Sequence, residues 1–89
     1  MIGQTCKNGH VYAVHHGDYA GQMFIYVDKD KNLFKFLSIP EMINVSISKE
    51  KFDFGIRNGI IEFVEQVPKD MHKISLAQFK QNEKNQSNN

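Results

Sequence analysis

Apolar positions along the chain come in short runs separated by polar and glycine-containing segments, and the densest runs lie in residues 21–38. There Met23, Phe24, Ile25, Tyr26 and Val27 form one run and Leu33, Phe34, Phe36 and Leu37 a second, with the polar stretch 28–32 between them. Two runs rich in aromatic and aliphatic residues around a polar stretch of this length are the pattern of a β-hairpin. In the first arm Met23, Ile25 and Val27 fall on one face and Phe24 and Tyr26 on the other, so both faces need cover. In the second arm Lys35 alternates with Phe34 and Phe36, so one face is apolar and the other can meet water. The rest of the chain is expected to pack on this hairpin.

Before the hairpin, Asn8-Gly9 suits a tight turn, residues 11–15 read as a strand, and the glycine-bearing stretch 16–21 reads as a loop. After it, Pro40 breaks the sheet, and residues 42–48 resume it with Ile43, Val45 and Ile47 alternating with Asn44, Ser46 and Ser48, the clearest half-buried strand pattern in the chain. Residues 48–59 allow two readings. Ser48 can cap a helix that shares Phe52 and Ile56 on its inner face and closes at Gly59. Alternatively, two strands meet at an Asn58-Gly59 turn. The helix is preferred, although Gly55 inside it costs about 1 kcal/mol relative to Ala. Residues 60–67 read as a strand ending at Pro68, and residues 68–71 as a turn. Ser75 then caps a last helical turn or two holding Leu76 and Phe79. The pattern predicts a mainly β fold, a small antiparallel barrel or sandwich of about five strands with one short helix. One domain spans residues 1–80, and the Asn/Gln/Ser/Lys stretch 81–89 is expected to be a disordered tail.

Composition narrows the class further. Eleven Lys and Arg against ten Asp and Glu, net charge +1, match neither a polybasic nucleic-acid binder nor an acidic DNA mimic. A single cysteine, Cys6, cannot form an intramolecular disulfide, which fits a reducing cytoplasm. The first residues lack the apolar core of a signal peptide, the longest apolar run is far too short to span a bilayer, and Ile2 stands where myristoylation needs glycine.

Chemistry is sparsely signalled. Cys6, His10, His15 and His16 fall close together, but His15 and His16 point to opposite faces of a strand and Cys6 with His10 makes only half a zinc site, so no metal is expected. Asp28, Asp30, Glu62 and Glu65 sit where solvated charges belong, and no phosphate-binding or dinucleotide motif is present. The expectation is a protein that is not an enzyme and takes no cofactor.

Residues 14–27, a strand entering a loop with Gly17 and Gly21 and leaving in a second strand, resemble the strand-loop-strand motif of KOW-type domains. Residues 59–64 followed by Pro68 are similar to the late strand and turn of SH3-like barrels. Together these cover about a quarter of the chain. The resemblance implies an SH3-like barrel and, for KOW-type domains, nucleic-acid binding. The Lys, Asn and Ile content with a polar tail also looks like that of the small early proteins of T4-like phages, which implies a phage-encoded modulator of a host protein in the host cytoplasm. The function expected first is a binding or regulatory module for a protein partner, using Tyr19, Phe54 and Arg57, with homodimerisation through an edge strand open to it. The alternative is nucleic-acid binding through Tyr19, Lys29, Lys31, Lys35 and Arg57.

Overall fold

The hairpin read from residues 21–38 is the centre of the structure, a computed structural model that describes residues 7, 9–39 and 41–87. β2 (Met23–Asp30) and β3 (Leu33–Ile39) pair antiparallel from Met23↔Ile39 to Asp30↔Leu33 and turn at Lys31-Asn32, with Lys31 at φ 56°. The ladder continues past the apolar run through a bulge between Tyr26 and Asp28, which carries the polar residues 28–30 into the strand. β1 (His10–Val14), β4 (Asn44–Ser48) and β5 (Ile61–Gln66) complete one antiparallel sheet in the order β4-β3-β2-β1-β5. The mainly β domain of five strands is therefore what the chain forms. Its sheet is open and not a closed barrel, because β4 and β5 are the two edges and the segment between them crosses one face as a helix.

That helix, α1 (Lys49–Arg57), decides the ambiguity of residues 48–59. Ser48 is extended (φ −65°, ψ 151°) and its hydroxyl accepts the Lys51 N–H at 3.2 Å, an N-cap that satisfies one of the orphan donors of the first turn. The Asn58-Gly59 pair closes the helix: Asn58 N–H donates to the Phe54 carbonyl at 3.0 Å and Gly59 takes φ 72°. Gly55 is buried against Ile61, and a Cβ there would lie 2.6 Å from Ile61 Cδ1 and 2.8 Å from Cγ1. The residue that weakens the helix locally is what lets it approach β5.

Both faces of the hairpin are covered, as its alternation requires. Between α1, which contributes Phe52, and the sheet lie Tyr12, Val14, Phe24, Tyr26, Phe34, Phe36, Val45 and Ile61. Around Phe52 the rings of Tyr12 and Phe34 meet it edge-on at 5.0 and 5.4 Å and Phe36 stacks on it at 5.8 Å, favoured aromatic geometries. On the opposite face Val11, Ile25, Val27 and Leu37 pack with Phe79 of α2 (Lys69–Ser87).

α2 is longer than expected. Residues 68–71 do not form a separate turn ahead of Ser75, and residues 81–87 continue the helix where a tail was expected. Polar side chains hold it: Asn82 Nδ2 donates to the Met42 carbonyl and to Asn44 Oδ1, both at 2.8 Å, and Asn44 Nδ2 donates to the Phe79 carbonyl at 3.0 Å. Glu83 pairs with Lys35 Nζ at 3.5 Å, so the wet face of β3 is partly roofed. Cys6, Asn8, Pro40 and residues 88–89, which entered the readings above, lie outside the described residues.

Candidate functional site

α1 crosses its face of the sheet diagonally. It leaves β4 at the hairpin end, where Lys49 N–H donates to the Asn32 carbonyl, and delivers the chain to β5 at the other end, where His15 N–H donates to the Ile60 carbonyl. A diagonal cover leaves a corner of the sheet bare. That corner is bounded by β4, the start of β2 and the loop between β1 and β2, and it forms an open cleft of about 810 Å³.

Its floor is apolar, built from Val14, Phe24, Val45 and Ile61 on the sheet and Gly55 on the helix. Two aromatic side chains stand at the rim. Tyr19 rises from the β1–β2 loop with its ring 5.5 Å from Phe24. Phe54 rises from α1, whose inner face is taken by Phe52 and Ile56, so that a residue two positions from each must point elsewhere. They remain 46% and 55% exposed, which is unusual for large side chains beside an apolar floor. Polar groups complete the rim: His16 and Asp18 from the loop, Ser46 from β4, Glu50 and Lys51 from the first turn of α1.

The loop carrying Tyr19 is fixed by its backbone. Ala20 N–H donates to Gly17 and Gln22 N–H to Tyr19, each at 3.1 Å, while Gly21 N–H donates to Val14 at 2.8 Å. Gly17 at φ 93° and Gly21 at φ 89° provide the left-handed positions. Next to it, His15 Nε2 lies 2.8 Å from Glu62 Oε1, a solvent-exposed hydrogen bond that ties the loop to β5.

Of the residues expected to contact a protein, Tyr19 and Phe54 meet at this cleft and Arg57 does not line it; Arg57 sits exposed in the last turn of α1. The residues expected to contact nucleic acid are not brought together. Lys29 and Lys31 lie at the β2–β3 tip, the length of β2 away from Tyr19, roughly 25 Å at 3.3 Å per residue. Lys35 is on the α2 face, paired with Glu83 and 5.7 Å above the Phe79 ring. Sequence reasoning missed the floor of the cleft, because Val14, Phe24, Val45 and Ile61 read simply as core positions. The one available signal was Gly55, an unfavourable helix residue whose presence marks a close approach.

The histidines do not converge. His10 Nδ1 is 3.0 Å from the Tyr12 hydroxyl and its ring lies edge-on to Phe63 at 4.7 Å. Burial, with a smaller contribution from Lys7, holds its pKa below the usual 6.5. Among the described residues no cluster of three or more His, Cys, Asp or Glu is placed to hold a metal ion, and no helix is long and apolar enough to cross a membrane. The chain matches no protein-family model, no curated protein and no solved structure.

Proposed function

We propose that the protein is a non-catalytic binding module that captures an apolar side chain of a protein partner in the cleft between α1 and the sheet. The supporting observation is that Tyr19 and Phe54, from two separate elements, flank one apolar floor while keeping about half their surface in water. Aromatic residues around a concave apolar site are the usual anchors of a protein interface, and each costs about 2 kcal/mol or more in affinity when truncated at such a hot spot. The mixed rim of His16, Asp18, Glu50 and Lys51 has no dominant sign, which fits a polar border around an apolar centre better than a phosphate groove. Lys29 and Lys31 at the β2–β3 tip and Lys35 beside Glu83 on the α2 face do not share a surface with Tyr19.

The test is affinity capture from cell lysate with nuclease present, using the wild-type chain, Phe54→Ala and Tyr19→Ala, with circular dichroism to verify that each variant is folded. A protein retained by the wild type and lost by at least about tenfold in both variants is expected, one such step being 1.4 kcal/mol. Capture that disappears with nuclease, or that neither substitution weakens, refutes the reading.

A further inference from the structure

The two edges of the sheet are defended very differently. β5 carries exposed Glu62 and Glu65, and its register against β1 shifts between Val11 and Tyr12, leaving Val64 without a cross-strand partner. Charges and a bulge are the devices that keep an edge from pairing with another strand. Antiparallel self-pairing centred on Phe63 and Val64 would also bring the glutamates of two copies close together. β4 has none of these: Asn44, Val45, Ser46, Ile47 and Ser48 are uncharged, unbulged and free of proline.

Among the described residues no strand pairs with the outer edge of β4, which also presents its backbone in a self-complementary way. Ser38 N–H donates to the Ile43 carbonyl and Lys49 N–H to the Asn32 carbonyl, both at 2.8 Å, with Phe36↔Val45 and Phe34↔Ile47 in register between them. Odd-numbered residues therefore bond to β3. By antiparallel alternation the N–H and C=O of Asn44 and Ser46, and the N–H of Ser48, face away from the sheet.

We infer that the protein forms a two-fold homodimer by antiparallel pairing of β4 with β4 of a second copy, the axis passing beside Ser46. Ser46 exchanges both backbone bonds with its symmetry mate, Asn44 lies opposite Ser48, and Val45 lies opposite Ile47 on the α1 face. No like charges oppose each other within the strands. Just outside them the charges are complementary: exposed Glu41, in the turn before β4, comes alongside the first turn of α1 of the other copy, where Lys49 and Lys51 outnumber Glu50 and the helix presents its positive end. The symmetry makes this contact twice. Exposed Ile43, at 52%, lies in the same seam. The dimer does not depend on the cleft being a docking site; it sets two clefts on one continuous sheet face.

The oligomeric state of the full chain, measured by light scattering coupled to size-exclusion chromatography over a concentration series, tests this directly. The wild type is expected to approach twice the 10.3 kDa chain mass. Ser46→Lys places two ammonium groups at the axis from an exposed position, and Ser46→Pro removes an N–H that β3 does not use; both are expected to run at the monomer mass, while Glu62→Lys on β5 stays dimeric. As a check independent of variant stability, Ser46→Cys in a Cys6→Ser background is expected to cross-link on mild oxidation, since facing hydrogen-bonded residues have Cα atoms about 5.5 Å apart, within disulfide range. A wild type that stays monomeric throughout, a dimer that survives Ser46→Lys, a dimer abolished by Glu62→Lys, or absence of the cross-link overturns the inference.

Discussion

Replacing Gly55 with alanine probes how α1 is seated on the sheet. The added methyl would stand 2.6 Å from Ile61 Cδ1, 2.8 Å from Cγ1 and 3.4 Å from Cβ, where unstrained carbon contacts lie at about 3.5–4.0 Å. Cδ1 can swing aside about χ2, but Cγ1 is fixed by χ1 of a β-branched residue, so either Ile61 leaves its rotamer or the helix lifts. Overpacking of this kind costs about 1–3 kcal/mol. Alanine gives back about 1 kcal/mol of helix propensity. The expected net loss is about 1 kcal/mol, read as a fall in Tm of about 4–8 °C for a domain of this size. Thermal and urea unfolding of Gly55→Ala, Ile61→Val and the double variant give the decisive comparison. Ile61→Val alone should cost about 0.5–1.5 kcal/mol by deleting a buried methyl. In the Gly55→Ala background it should cost less, because Cδ1, the nearer of the two colliding atoms, is then gone while Cγ1 keeps its close contact. A neutral or stabilising Gly55→Ala, or additive single variants, would show that α1 is not held against Ile61 by this contact.

Two further outcomes follow from the polar contacts. Asn82→Ala removes the donor to the Met42 carbonyl and Asn44 Oδ1 and should cost about 1–2 kcal/mol in urea unfolding; an unchanged midpoint would mean that residues 81–87 do not hold α2 to the β3–β4 turn. His10, whose pKa is lowered chiefly by burial and then by Lys7, binds its proton less readily folded than unfolded. Stability should therefore be full above pH 6.5 and decline as pH falls below it toward the lowered folded value, since the unfolded chain binds the extra proton first. His10→Gln should remove that part of the pH slope, and an NMR titration of the His10 ring that gives an ordinary or raised pKa would refute it.

The hairpin was legible because its alternation is strict: Met23, Ile25 and Val27 do pack toward α2, and Phe24 and Tyr26 toward α1. The α1 helix was legible from Ser48, Phe52 and Ile56 despite two misleading glycines. Asn58-Gly59 is a hairpin signal locally, yet the same preference for positive φ serves a helix terminus. α2 was read too short for a different reason. The side chains α2 turns toward the sheet and the turn before β4, His72, buried Ser75, Leu76, Phe79 and Asn82, recur at helical spacing, but three of them are polar. His72 Nε2 lies 3.3 Å from the Val27 carbonyl and Ser75 Oγ donates back to Met71 at 2.9 Å, so these polar residues mark helix contacts that a hydrophobic alphabet does not register. Of the site, the exposed aromatics were legible one by one. Their meeting at one cleft was not, because it depends on the diagonal course of α1, a tertiary property that no local pattern carries.

That course also sets a temporal order. Strands β1 to β4 follow one another through connections of two to eight residues, so each can pair as soon as its neighbour exists. β5 instead returns to β1 across the sheet, and the contact between His15 and Glu62 joins residues 47 apart in the chain. Closing so large a loop carries an entropic cost that the meander avoids, and slow, late assembly is the expected kinetic result. β5 is thus the strand that docks last and detaches first. Amide exchange along it should outpace exchange in β2, and proteolysis of the native chain should begin on its side of the molecule.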